Sequence, residues 1–393
     1  MIGITFRFAN IEVKPKNIMS NPTAGLYIHI PFCLSKCAYC SFCSIESVRL
    51  IPQYIKALAR ELEFYRRYFG EFATVYLGGG TPSLLKPGEI DLIFQAIRKN
   101  YIIKADAEIT LEANAGDISA EYLKELRAIG INRLNVGIQS FNDKVLKILG
   151  RRHDARQAVS AITAAKQAGF KNLGIDLIYG VYGQSIKLWE DTIKQALAFM
   201  PEHISCYQLS LNEKTPLGRK YQSEGWRIPA ENLAIEYFNV TADRLEGEGY
   251  LHYEVSNFAR RENFISRHNT RYWRHEPYLG LGASAHSYLS GRRWWNKNVV
   301  ARYIKDIAVD KNPVAASEQL TDDQLRLEEL FLGLRTKRGI NIKYYKRLYG
   351  VDLISDKKAV IEALIKNKLV IKQGGFLRPT RAGMAVADSL ALI

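Results

Sequence analysis

Tyr27-Ile-His-Ile-Pro-Phe-Cys33-Leu-Ser-Lys-Cys37-Ala-Tyr-Cys40 reads as a short apolar strand running straight into a loop that carries three cysteines at C-x3-C-x2-C spacing. A strand whose carboxyl end holds the reactive groups suits a parallel α/β fold, where functional side chains gather beyond the strand ends. Three soft thiolates on one loop can hold three irons of a four-iron, four-sulfur cubane, which leaves the fourth iron without a protein ligand. Such an open position lets a metal centre bind a substrate. The rival reading is a zinc loop. Zinc knuckles pair two C-x2-C elements or add histidines, and no second cysteine pair follows here. Cys43 reads as a small buried side chain, with a fourth ligand or a labile thiol as alternatives, and Cys206 as core.

Outward from this stretch, six runs have the apolar, β-rich character of strands covered on both faces: Leu26–Ile30, Thr74–Leu77, Glu108–Glu112, Arg133–Gly137, Asn172–Ile178 and Ile204–Leu209. Between them lie stretches of helical period such as Gln53–Tyr68, Glu121–Ile129 and Ala155–Ala168, the latter two followed by Gly130 and Gly169 as stops. The pattern predicts an α/β fold, a partial (β/α)6 TIM-like barrel over residues 24–250. No Gly-x-Gly-x-x-Gly follows the first strand, which excludes the common dinucleotide fold. Residues 1–23 read as a tail, 251–316 as an aromatic, irregular connecting region, and 317–393 as a winged-helix-like α+β domain with a hairpin across Gly374-Gly375.

With 47% hydrophobic and 24% charged residues the chain has the composition of a soluble globular protein. No apolar run is long enough to span a bilayer, and residues 1–23 lack the pattern of a secretory signal. Four of five cysteines fall between Cys33 and Cys43, which points to metal in a reducing, cytoplasmic compartment rather than to disulfides. A net charge of +15 favours anionic partners, including carboxylate-bearing ligands or a membrane surface at which the protein is peripheral. The Lys343, Lys346 and Arg347 face of the last domain reads as solvated, so no nucleic acid is expected.

Taken together, Tyr-x-His-Ile-Pro-Phe-Cys, Gly78-Gly79-Gly80-Thr81-Pro82-Ser83, Glu112-Ala-Asn, Asn132-Arg-Leu-Asn-Val-Gly-Ile-Gln139, Ile175-Asp176-Leu-Ile-Tyr-Gly180 and Tyr278-Leu-Gly-Leu-Gly-Ala-Ser-Ala-His286 resemble the radical S-adenosylmethionine (SAM) proteins of the HemN/HemW group, from Leu26 to the C-terminus. The resemblance implies a [4Fe-4S] cluster on Cys33, Cys37 and Cys40. It implies SAM contacts by Tyr27, Tyr39, Gly79, Gly80, Thr81, Glu112, Gln139, Arg151 and Asp176. Glycines let backbone approach a ligand, in keeping with that role for Gly79-Gly80. Within the group, Cys40-Ser41-Phe42 is similar to the Cys-x-Phe of the heme chaperones, where the coproporphyrinogen dehydrogenases have a further cysteine at the position of Phe42. His268-Asn-Thr-Arg-Tyr272-Trp273 likewise resembles the chaperones' His-Asn-x-x-Tyr-Trp heme motif, which implies heme contact by His268 and Tyr272. Read from the residues alone, the same stretch is a packed aromatic lid. Ala115, the Val181–Gln184 loop and Ser41 depart from the group's usual residues near the pocket.

The resemblance thus implies heme delivery to acceptor proteins, membrane respiratory enzymes among them, with an electron donor for the cluster. It leaves open whether the chain is an enzyme. The alternative function it implies is oxygen-independent decarboxylation of coproporphyrinogen III.

Overall fold

Strand β1 (Ala24–Ile30) buries Leu26, Ile28 and Ile30 completely on one face and turns Tyr27 and His29 to the other, the alternation of a strand with two covered sides. It pairs in parallel with β2 (Glu71–Gly79), and the parallel run continues through β3 (Ile102–Asn114), β4 (Arg133–Gln139), β5 (Leu173–Tyr179) and β6 (His203–Gln208). This is the α/β partial barrel expected from the sequence, seen in a computed structural model that describes residues 23–390. Residues 1–22 of the expected tail lie outside that range.

Helices cover the outer face. The first, Ile51–Phe64, buries Ile51, Tyr54, Ile55, Leu58 and Leu62, a spacing of three and four that lays one stripe on the sheet. Gly130 ends Ala120–Ile129 at φ +115°, where a side chain would be strained. Asp154 and Gln157 form a capping box at the start of Ala155–Gln167, which stabilises the helix by about 1 kcal/mol.

The stretch that reads as irregular in sequence carries five strands and the start of a sixth. β7 (Leu251–Glu254) and β8 (Asn257–Ala259) form a hairpin on β6, while β9 (Tyr278–Leu281) lies parallel to β1 on its free side. β10 (His286–Leu289), β11 (Arg292–Asn296) and β12 (Val314–Gln319) then add antiparallel. The result is one open twelve-stranded sheet, ordered β12-β11-β10-β9-β1-β2-β3-β4-β5-β6-β8-β7. Strands of three to five residues are too short for alternation to show in sequence.

In the C-terminal α+β domain, β13 (Ile340–Asn341), β14 (Val370–Gln373) and β15 (Phe376–Pro379) form a small sheet around a separate core of Leu330, Leu334, Tyr345, Leu353, Ile361 and Leu377. Gly374 and Gly375, both at positive φ, make its hairpin turn. The domain is tied to the barrel by a bridge between Glu254 and Thr336 and by Lys337 and Arg381 on Glu246. Lys346 is paired with Asp352. No described helix is long and apolar enough to cross a membrane.

Candidate cofactor site

The cysteine loop is held from three sides. Phe32 bridges to Ile45, and Cys33 N–H donates to Ile45 O at 3.0 Å. Ala38 N–H donates to Leu149 O at 3.0 Å, and Ala38 O accepts from Leu217 N–H at 2.8 Å. Gly150 lies so close that a Cβ there would meet Ala38 N at 2.9 Å. Cys33 is buried, and Cys37 and Cys40 are partly exposed at the rim. Cys43 turns away from them, its thiol donating to Asn298 O at 3.1 Å. Two donors already point at these sulfurs: Arg151 Nη1 to Cys37 Sγ at 3.2 Å and Thr81 Oγ1 to Cys33 Sγ at 3.5 Å. Among the described residues no three His, Cys, Asp or Glu side chains stand ready around one point for a single ion.

Beside the loop, over the carboxyl ends of β1 to β6, opens a cavity of about 780 Å³. It gathers Cys33, Cys37 and Cys40 with Tyr39, Gly79, Gly80, Thr81, Glu112, Gln139, Arg151 and Asp176, residues spread over 144 positions of sequence. Tyr27 does not line it. The Tyr27 hydroxyl bonds His29 Nδ1 at 2.9 Å, and His29 Nε2 reaches Cys43 O at 2.8 Å, so Tyr27 meets the loop only through His29.

The cavity walls have the marks of a ligand cradle. A Cβ on Gly79, which sits at φ +114°, would meet the His29 ring at 2.5 Å, and one on Gly80 would meet Phe32 O at 2.7 Å. Only glycine allows the β2 turn to lie this close. Arg151 is a three-way clamp: Nη2 donates to Asn114 Oδ1 at 2.6 Å and to Gly137 O at 2.8 Å while Nη1 holds Cys37. Gln139 closes β4 at φ +65°, an uncommon conformation for a residue with a side chain. Gln139 Oε1, Asp176 Oδ1 and Arg151 Nε are buried without partners. The three line one cavity, which suits it to a polar ligand.

Glu112 accepts from Tyr76 OH at 2.7 Å and from Gly79 N–H at 3.1 Å, and burial pushes its carboxyl up to about 7. Asp176 accepts from Asn135 Nδ2 at 2.6 Å and is also raised by burial. Burial thus raises both carboxyls, and the Glu112 proton is the one that titrates near neutral pH.

His268 and Tyr272 lie at the other end. Their helix, Arg267–Trp273, plugs the amino ends of the strands, and the Arg267 and His268 N–H groups donate to Glu108 at 3.1 and 2.9 Å. His268 is 1% exposed, and both ring nitrogens are occupied, Nδ1 by Thr74 Oγ1 and Nε2 by the Tyr272 hydroxyl, each at 2.8 Å. Its ring stacks on Tyr76 at 4.9 Å, and burial pushes its imidazolium down to about 3. The packed-lid reading matches these contacts. For His268 to take iron through one ring nitrogen, the hydrogen bond on that nitrogen would have to break, while the other could stay.

Asn114, Asn135 and the Tyr207–Lys214 loop also line the cavity. The asparagines stand inside quoted motifs but carry no signal of their own. Tyr207 and Gln208 end the sixth strand and residues 209–214 follow it, where a parallel fold places functional groups.

A partial barrel with a three-cysteine loop at the carboxyl end of its first strand defines the class of radical SAM proteins. The Radical SAM superfamily profile matches residues 27–196, and the HemN C-terminal domain profile matches residues 320–386. A protein of Lactococcus lactis named heme chaperone HemW is 32% identical over 93% of this chain and 95% of its own length. One of the same name from Bacillus subtilis is 34% identical over 93% and 97%. The chain belongs to this HemW family. A zebrafish (Danio rerio) relative, named radical S-adenosyl methionine domain-containing protein 1, mitochondrial, is 30% identical over 93% of this chain and 86% of its own. In three dimensions the chain is similar to coproporphyrinogen III oxidase HemN of Escherichia coli, with a TM-score of 0.83 at 24% identity over 95% of this chain and 90% of that one, a likeness of fold.

Proposed function

We propose that this chain is a heme chaperone that holds a [4Fe-4S] cluster on Cys33, Cys37 and Cys40 and binds SAM beside it. The observation that carries the cofactor half is the cavity where the cysteine loop, the Gly79-Gly80 turn and the unpartnered atoms of Gln139, Arg151 and Asp176 meet. When bound, the cluster supplies the electron that cleaves a carbon–sulfur bond of the sulfonium. The chain's own part is binding and orientation. Gly79, Gly80 and Thr81 bring backbone to the amino-acid end of SAM, and Glu112 accepts from its ammonium or a ribose hydroxyl. Gln139 and Asp176 offer acceptors deeper in the cavity, Arg151 locks the loop in place, and Tyr39 closes the wall next to Cys40. Tyr27 acts as a positioning residue through His29.

The heme half is supported by kinship to the HemW proteins. Acceptor proteins and an electron donor follow from that reading as partners, with a place in the cytoplasm or peripherally at a membrane. Phe42, where a coproporphyrinogen dehydrogenase has a cysteine, weighs against the alternative activity.

The test is anaerobic reconstitution with iron and sulfide, followed by EPR with and without SAM and by titration with hemin. A reduced-cluster signal that changes on adding SAM, and a hemin Soret band that saturates at one equivalent, are expected. A cluster signal indifferent to SAM would overturn the cofactor half. Failure to take up hemin would overturn the chaperone half, and turnover of coproporphyrinogen III would replace it with the dehydrogenase reading.

A further inference from the structure

The register of β1 and β2 sets this part of the barrel interior in layers. Gly25 pairs with Thr74, Tyr27 with Tyr76 and His29 with Gly78, and alternation turns all six positions to the inner face. The lowest layer meets His268. Thr74 Oγ1 bonds its Nδ1 at 2.8 Å, and a Cβ on Gly25 would come within 3.3 Å of its ring. The highest layer belongs to the cofactor end, where His29 Nε2 reaches Cys43 O and Gly78 leads into the Gly79-Gly80 turn. From Thr74 to Gly78 the strand rises about 13 Å.

On these two strands only a pair of tyrosines lies between. The Tyr76 ring stacks on His268 with centroids 4.9 Å apart and planes 25° from parallel, and the Tyr27 ring lies 6.4 Å from the same imidazole. Both hydroxyls reach toward the cofactor end, Tyr27 OH to His29 Nδ1 at 2.9 Å and Tyr76 OH to Glu112 Oε1 at 2.7 Å. Glu112 Oε2 in turn accepts from Gly79 N–H at 3.1 Å. Gly78 leaves room for this arrangement, since a Cβ there would meet Tyr76 Cε1 at 2.8 Å and Glu112 Oε2 at 3.1 Å. Tyr76 thus touches the motif histidine with its ring and a residue of the cavity wall with its hydroxyl, while it does not itself line the cavity.

Each end of this line of contacts has two states. At the floor, iron can take His268 Nε2 once the Tyr272 hydroxyl leaves it, while Thr74 holds Nδ1 and keeps the ring on Tyr76. At the cavity, Glu112 is held by Tyr76 and Gly79, or turns an oxygen to a ligand. A close-packed interior does not deform continuously, so a shift of the His268 ring is passed to Tyr76, and a new partner for Glu112 is felt at the Tyr76 hydroxyl. Two ligands that bias the same contact change each other's affinity by the same factor.

We propose that Tyr76 is a positioning residue that couples heme binding at His268 to SAM binding in the cofactor cavity, with Thr74 pinning the histidine ring upon it. The proposal rests on the heme and SAM readings above. It makes the floor and the cavity a linked pair rather than two independent sites.

The experiment is hemin titration of the anaerobically reconstituted full chain, with and without saturating SAM, for the natural protein, Tyr76→Phe and Thr74→Val. SAM is expected to change the hemin dissociation constant of the natural protein about fivefold or more. Both variants keep the size of the side chain they replace. Tyr76→Phe cuts the bond to Glu112 and Thr74→Val frees the imidazole, and in each the change is expected to fall below about twofold. A merely structural loss would move hemin affinity alike with and without SAM and leave their ratio as it was. Either variant that takes up both ligands with the natural ratio intact overturns the proposal. A natural protein that binds hemin equally with and without SAM overturns it and leaves both readings standing. One that binds no hemin overturns the proposal together with the heme reading, and one whose cluster signal ignores SAM overturns it together with the SAM reading.

Discussion

At the carboxyl ends of the strands, Gln139 Oε1, Asp176 Oδ1 and Arg151 Nε are buried without partners, whereas at the amino ends both nitrogens of His268 and both oxygens of Glu108 are hydrogen-bonded. The two regions are built from the same kinds of residue in the same barrel. An unpaired polar group in a low-dielectric interior costs about 1–3 kcal/mol, and three of them at one cavity make that end ready to bind a polar ligand. A closed network returns that cost and makes a stable plug. A histidine in a motif and a histidine ready to bind are thus different things, and the state of the ring nitrogens tells them apart.

The comparison breaks first if the cysteines are not the cluster ligands. Replacing Cys33, Cys37 and Cys40 together with Ala is expected to abolish iron and sulfide incorporation while far-ultraviolet circular dichroism stays unchanged, because the loop is held by backbone bonds to Ile45, Leu149 and Leu217. Residual iron near the natural content would remove the site from this end. Next in size is Gly79→Ala, which drives a Cβ into the His29 ring and strains a left-handed turn. It should destabilise the fold by about 2–4 kcal/mol in urea titration and eliminate the SAM-induced change in the cluster EPR signal.

His268→Ala sharpens the contrast from the other side. It removes two buried hydrogen bonds and a ring stack, so a loss of about 2–4 kcal/mol is expected, with the SAM-induced EPR change retained. Loss of that change with stability untouched would show the floor to be part of the site.

The smallest effect is in pH dependence, and the two ends should slope in opposite directions. Glu112 holds a proton up to about 7 in the folded chain, which the unfolded chain releases near 4.5, so its contribution to stability falls as pH rises between those values. His268 refuses a proton down to about 3, which the unfolded chain accepts near 6.5, so its contribution falls as pH drops through that window. Urea midpoints from pH 3 to 8 should show Glu112→Gln flattening the neutral limb and His268→Gln the acid limb. Glu61 and Glu254 are also pushed up to about 7 by burial, so Glu112→Gln removes only part of the neutral slope.

Much of the first region was legible in order along the chain. The six parallel strands, the stops at Gly130 and Gly169, the three-cysteine spacing and the C-terminal hairpin all depend on local periodicity or on residues whose backbone freedom is local. The Arg151 clamp was not. Beside Arg152 it reads as surface charge, and only the fold shows Arg152 on Asp117 and Arg151 turned inward to Cys37, Asn114 and Gly137. The strands between Leu251 and Pro313 were hidden because each is too short to show a period.

By itself, then, the sequence determined the α/β barrel and the candidate ligands of its cluster, since strand alternation, helix caps and thiol spacing are set by neighbours within a few residues. The tertiary structure alone decided which polar side chains are satisfied. Cys43 lies three positions from Cys40 but is turned to Asn298, and His268 lies within a heme-type motif but is bonded to Thr74. Hydrogen-bond partners are contributed by residues up to 255 positions away, and whether a buried group is paired or waiting depends on that distant chain rather than on its own motif.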